Sequence, residues 1–100
     1  MLLTDQTTTL ADTFRLMGDA SRLRIILLCL EGPAAVGDIA DMLGLSPSLV
    51  SHHLRLLRAA RIVRAERQGK HVFYDAADDH IRHVLRDMVA HMIETTEDGY

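Results

Sequence analysis

The feature that most narrows what this chain can become lies between Val36 and Ala59. A short apolar-periodic run, Val36 to Leu43, ends at Gly44, and Leu45 leads into Ser46-Pro47 and a second periodic run. Glycine directly after a periodic run stops a helix in the left-handed conformation. Serine followed by proline starts another: the hydroxyl caps free N–H groups, and proline at the first helical position sacrifices no hydrogen bond. Two helices separated by so tight a turn make a helix-turn-helix. In the first, Ile39, Ala40 and Leu43 are expected inward. In the second, Leu49, Val50, Leu54 and Leu57 recur at helical spacing and predict one buried face. Ser48, Ser51, His52 and Arg55 fall mostly on the other side. With Ser46 at the helix start, they offer hydroxyl, imidazole and guanidinium groups to base edges and phosphates of a DNA major groove.

Ile62 to Arg67 and Lys70 to Tyr74 are short β-type runs around Gln68-Gly69, which predicts a hairpin, or wing, directly after the recognition helix. Arg64, Arg67 and Lys70 are placed there to hold phosphates. Charge agrees with this reading. The whole chain is slightly acidic, with net charge -3. Yet Arg55, Arg58, Arg61, Arg64, Arg67 and Lys70 crowd into this one stretch, opposed only by Glu66. A basic segment on an acidic body is the electrostatic footprint of a phosphate-binding edge.

The remaining elements frame this unit. Thr4 to Met17 predicts a first helix with Leu10, Ala11, Phe14, Leu16 and Met17 at helical intervals. Gly18 breaks it, and Asp19 caps a second helix that runs to about Leu30 and stops at Gly32-Pro33. A last helix from about Asp79 to Glu94 carries an apolar stripe of Ile81, Val84, Leu85, Met88 and Met92. Such a stripe needs a partner, so Leu10 and Phe14 with Leu85, Met88 and Met92 are expected to form a two-fold homodimer interface. The expected architecture is mainly α with a small β-hairpin: one winged helix-turn-helix domain over residues 1–100, with 1–3 and 95–100 flexible. One hundred residues suit one domain. Cys29 is the only cysteine, so neither an intrachain disulfide nor a thiolate cluster within one chain is available. It fits a small buried hydrophobe. No leader peptide and no membrane-length apolar run is present, and a cytoplasmic location is expected.

A second set of residues carries metal chemistry: Asp78, His80, His91 and Glu94. His80 and His91 are eleven residues apart, or ~16.5 Å along a helix, too far for one ion to bridge within one chain. The same eleven residues bring them back to nearly one helix face, and His91 and Glu94 lie one turn apart. An antiparallel second copy changes the outcome. One register, centred near Leu85-Arg86, then pairs Asp78 with the partner's Glu94 and His80 with the partner's His91. Two symmetric two-His, two-carboxylate sites result, each spanning both chains. Asp78 does not share the His face by helical geometry and must reach from the non-helical end. The donor set suits tetrahedral zinc. Nickel or cobalt would prefer extra ligands, for which His83 or residues near Met1 are the candidates.

The run Phe14 to Ile25, the stretch Val36-Gly37-Asp38-Ile39-Ala40 and, most specifically, Ser48 to Leu57 resemble the ArsR/SmtB family of winged-helix repressors, over nearly the whole length. The Asp-x-His, ten residues, His-x-x-Glu spacing resembles that family's C-terminal-helix metal site at all four positions. The family's cysteine cluster is absent: Ala34, Ala35 and Val36 stand there. Arg61 departs from the family, which often has glycine before the first wing strand. The resemblance implies a cytoplasmic, homodimeric repressor on an inverted-repeat operator, released by a zinc-type divalent ion, two per dimer, bound between the C-terminal helices. Alternatives are a winged-helix regulator sensing nickel, cobalt or no metal, and an interaction module binding no DNA. A metallohydrolase is disfavoured: there is no nucleophile motif or phosphate loop, and four protein ligands leave no open position for water.

Overall fold

Capping groups decide where the helices begin. The computed structural model, which describes residues 1–97, orders the elements as α1 (Thr4–Met17), α2 (Ala20–Leu30), β1 (Ala34–Ala35), α3 (Val36–Leu43), α4 (Pro47–Ala59), β2 (Val63–Gln68), β3 (His71–Ala76) and α5 (Asp79–Glu97). At the start of α1 the Leu3 N–H donates to Gln6 Oε1 at 2.9 Å. At α2, Asp19 Oδ2 accepts from the Arg22 N–H at 3.0 Å. At α4, Ser46 Oγ accepts from the Leu49 N–H at 3.1 Å. At α5, Asp78 Oδ1 accepts from the Ile81 N–H at 3.0 Å. Each cap satisfies an N–H that the helix itself leaves free. Gly44 closes α3 with φ 68°, the left-handed stop expected there. The last helix runs three residues past Glu94. The Thr95 and Thr96 hydroxyls donate back to the His91 and Met92 carbonyls at 2.8 and 2.9 Å, so these polar residues stay helical. Residues 98–100, part of the expected flexible tail, lie outside the described residues.

The wing is a β2–β3 hairpin paired from Val63↔Ala76 to Gln68↔His71. Its loop is therefore Gly69-Lys70, one residue later than the expected Gln68-Gly69. Gly69 has φ 64° while Lys70 is not in the positive-φ region, the pattern of a type II′ turn. A third strand completes the sheet: β1 pairs antiparallel with β3, giving the order β1-β3-β2. Two residues are too short to show alternation, so no sequence signal marked β1. It matters because α3 starts at the next residue, which ties the helix-turn-helix to the wing.

The core is aliphatic. Ile25, Ile26 and Cys29 of α2, Ile39 of α3, Val50, Leu54 and Leu57 of α4, and Ile62 are fully buried. Two expected positions differ. Leu49, expected inward, is 39% exposed, and His53 at 8% takes an inward place instead. Val50, His53, Leu54 and Leu57 centre the buried arc of α4, and Leu49 lies ~90° away from that centre. Leu85, assigned to the dimer interface, is 7% exposed in the single protomer and belongs to its core. Its side chain faces inward beside Ile81, so the exposed Met88 and Met92 mark the free stripe.

Arg61 closes α4 with φ 60°. The Ile62 N–H reaches back to the Leu57 carbonyl at 2.9 Å, and this turn requires the left-handed backbone. A non-glycine residue there costs ~1–2 kcal/mol, against ~0.5–1 kcal/mol for glycine's extra freedom in the unfolded chain. Arg61→Gly is expected to raise stability by up to ~1.5 kcal/mol, seen as a higher urea midpoint with unchanged slope. A lower midpoint would mean that the Arg61 side chain contributes more than its backbone strain removes.

Candidate nucleic-acid interface and sensor helix

The exposed face of α4 carries Ser48, His52 and Arg55, with Ser51 half-buried at its edge. Ser46 is committed first to the cap: its oxygen accepts from Leu49, while its hydroxyl hydrogen stays available to a phosphate. α4 contains no acidic residue. Its N-terminal backbone dipole therefore adds to a surface that attracts phosphate.

The wing residues are not equivalent. Arg67 and Lys70 are exposed and form no ion pair among the described residues. Arg64 stands opposite Asp75 in the ladder and pairs with it, Nη2 to Oδ2 at 3.4 Å. Positions 64 and 67 differ by three, so their side chains leave opposite faces of the hairpin. Asp75 is the centre of a network that no sequence motif marked. Arg82 of α5 donates from Nη2 to Asp75 Oδ1 at 3.0 Å and from Nη1 to the Leu30 carbonyl at 2.9 Å. Burial alone would raise the Asp75 carboxyl. The Arg82 guanidinium, the Ala76 N–H and Arg64 more than offset that and hold it below the usual carboxylate value. The network fastens the start of α5 to the wing and to the end of α2.

His53 lies on the inner face of α4, where its Nδ1 is buried and meets no hydrogen-bonding partner among the described residues. Burial lowers its affinity for a proton, and the nearby Arg22 charge lowers it further, against an opposing pull from Asp19; His52 adds a smaller lowering. A histidine with a depressed folded value stabilises the fold fully above the ordinary value of ~6.5. That contribution falls as pH drops from there towards the depressed value, because the unfolded chain then binds the extra proton. His53→Leu is therefore expected to flatten the loss of stability between neutral and mildly acidic pH. At neutral pH it also removes an orphaned polar atom costing ~1–3 kcal/mol. Urea titrations at the two pH values check this; an unchanged acid-side loss would assign the effect to another group.

Asp78, and His80, His91 and Glu94 of α5, are all exposed, as is His83. His80, His91 and Glu94 fall within a ~60° wedge of the helix. Asp78 sits just before the helix. Its Oδ1 is used in the cap, which fixes the carboxylate and leaves Oδ2 free. Within one chain no three ligating side chains come together among the described residues. The set is instead divided into an Asp78/His80 half near the core and a His91/Glu94 half on the overhanging end. Beyond Leu85, α5 presents exposed Met88, Val89, Met92 and Ile93, which with Leu23 and Leu27 line an apolar groove of about 340 Å³. Leu10 and Phe14 of α1 are exposed as well. The radius of gyration is 14.6 Å, above the ~13 Å of a compact domain this size. Cys29 offers no alternative donor: it is fully buried, and burial pushes its thiol up to about 12.

Residues 19–65 match the family described as bacterial regulatory protein, arsR family. A transcriptional repressor SmtB homolog of Synechocystis sp. is 36% identical over 91 residues, spanning 91% of this chain and 69% of that protein. The cadmium metal-sensor CMTR of Mycobacterium tuberculosis superposes with a TM-score of 0.69 at 38% identity, covering 79% of this chain and 82% of that one. A homodimeric winged helix-turn-helix DNA-binding domain from Mycobacterium bovis superposes with a TM-score of 0.87 at 23% identity, covering 94% and 87% of the two chains. No helix among the described residues is long and apolar enough to cross a membrane.

Proposed function

Because this chain belongs to the arsR family of bacterial regulatory proteins, which are transcriptional regulators and not enzymes, we propose that it is a homodimeric repressor released from operator DNA by a divalent metal ion, with zinc as that ion. The observation that carries the sensing half is the division of four exposed donors into two half-sites at opposite ends of one overhanging helix. Such halves complete one another only when a second α5 lies antiparallel across the first. The exposed stripe of Met88 and Met92, with Leu10 and Phe14, supplies the apolar surface for that pairing. The donors fit the ion: two imidazole nitrogens and two carboxylate oxygens complete a tetrahedral zinc shell. Asp78 is preset by its cap, and none of the four donors is buried. Two relatives support the class of function, one named a transcriptional repressor and one a cadmium metal-sensor.

DNA binding rests on α4 and the wing. In a two-fold dimer the two recognition helices enter successive major grooves of an inverted repeat. Asp78 and His80 of one protomer, with the partner's His91 and the partner's Glu94, would hold each ion. Bound there, the ion supplies a cross-link between the two α5 helices. Those helices are anchored to the wings through Arg82 and Asp75, so the cross-link sets the angle between protomers and the spacing of the recognition helices. Acidification weakens the site, because the imidazoles must be neutral to bind. His83, exposed one turn beyond His80, favours nickel or cobalt as the second reading, since it could extend the shell. The test is whether zinc loosens the protein's grip on its own promoter region, with nickel and cobalt run beside it.

A further inference from the structure

Twelve large hydrophobic side chains are exposed among the described residues. Ten lie on α1 and its lead-in or on α5, where the proposed dimer accounts for them. The two left over, Met42 and Leu49, are on the two helices of the helix-turn-helix. Met42 shares a shallow groove with Glu31, Asp38 and Asp41, carboxylates that repel a phosphate backbone. Leu49 has no acidic neighbour on its helix; Ser48 precedes it and His52 lies one turn on. Leu49 itself is 39% exposed. It occupies the first turn of α4, its N–H held by Ser46 Oγ. Residues in that turn of a recognition helix are the ones that reach base edges. The apolar group that the major groove presents is the thymine C5-methyl.

We propose that Leu49 reads one thymine in each operator half-site through contact with its C5-methyl group. This rests on the DNA-binding reading above and adds a specificity determinant to it. Ser48 and His52 face outward, while Leu49 stands ~60° from His52 on the flank of that face. The polar pair is thus free for hydrogen-bonding edges, and the leucine meets the one edge group that cannot hydrogen-bond.

The experiment starts from duplexes that the wild-type dimer selects from a random pool. Each thymine of the selected site is replaced singly by deoxyuridine, which removes only the methyl. One thymine per half-site should be sensitive, each replacement weakening wild-type binding about fourfold, the worth of one buried methyl. Leu49→Ala should bind the thymine duplex several-fold more weakly and become indifferent to that methyl. Leu49→Met should keep the sensitivity. Equal methyl sensitivity in wild type and Leu49→Ala, or no methyl-sensitive position, would overturn the assignment while leaving DNA binding intact. A wild-type dimer that enriches no duplex would overturn the DNA-binding reading itself.

Discussion

A one-to-one mixture of His80→Ala and His91→Ala protomers will bind zinc where neither parent does. Each variant alone spoils both sites of its homodimer, because in the proposed dimer each site takes His80 from one chain and the partner's His91 from the other. In the heterodimer both lesions fall in the same site, and the second site keeps all four donors. Free exchange makes roughly half of the dimers mixed, with one intact site each, so about a quarter of wild-type capacity should return. Affinity in each parent should fall by far more than the 10–100-fold typical of losing an outer-shell partner. Titration with a chromogenic zinc competitor measures both quantities. No recovery after subunit exchange has been demonstrated would eliminate the cross-chain site. Leu85 is unsuitable as a probe of the interface, since it is 7% exposed and its substitution disturbs the protomer core.

The second large effect concerns the free cations of the DNA face. Each substitution acts twice in a dimer, and each lost phosphate contact removes ~0.9 from the salt slope on duplex DNA. Arg55→Ala, Arg67→Ala and Lys70→Ala should each shallow the slope of log affinity against log salt by about 1.8, with affinity falling similarly for all sequences. Combined, they should reduce binding at moderate salt by two orders of magnitude or more. Arg64→Ala should change the slope less, because that guanidinium is engaged with Asp75 at 3.4 Å. It remains 63% exposed, so its ion pair is worth at most ~1 kcal/mol of stability. Fluorescence anisotropy across a salt series decides the matter. A full-sized slope change for Arg64→Ala, matching Arg67→Ala, would restore Arg64 to the phosphate-binding set.

The helices were legible because their ends are written in local chemistry. Asp19, Gly44 and Ser46 mark termini through caps that involve residues three or four apart, and all three act as expected; the cap at Asp78, read in the sequence only as a metal donor, is added by the structure. What depends on contacts across the sequence was less visible. Strand β1 is two alanines whose only strand character is their pairing with Phe73 and Tyr74. The inward turn of His53 and the outward place of Leu49 differ by one small rotation of α4, which periodicity among four leucine-like positions cannot resolve. Asp75 joins Arg64 to Arg82, and Arg82 in turn reaches the Leu30 carbonyl, over separations that no motif encodes. Arg61 shows the reverse. Its departure from glycine was visible in the sequence, and the backbone keeps the glycine conformation at φ 60°. The candidate metal donors were visible as a spacing, and a single protomer supplies them as two separate halves.

One linkage measurement decides whether metal and operator are coupled: the affinity of the dimer for its operator with and without zinc, paired with the affinity for zinc with and without operator. Zinc should weaken operator binding by a factor within about 5–150, and operator should weaken zinc binding by the same factor, since coupling between two equilibria is reciprocal. Glu94→Gln should abolish both effects together. Operator affinity that is identical with zinc-saturated and zinc-free dimer would contradict the account.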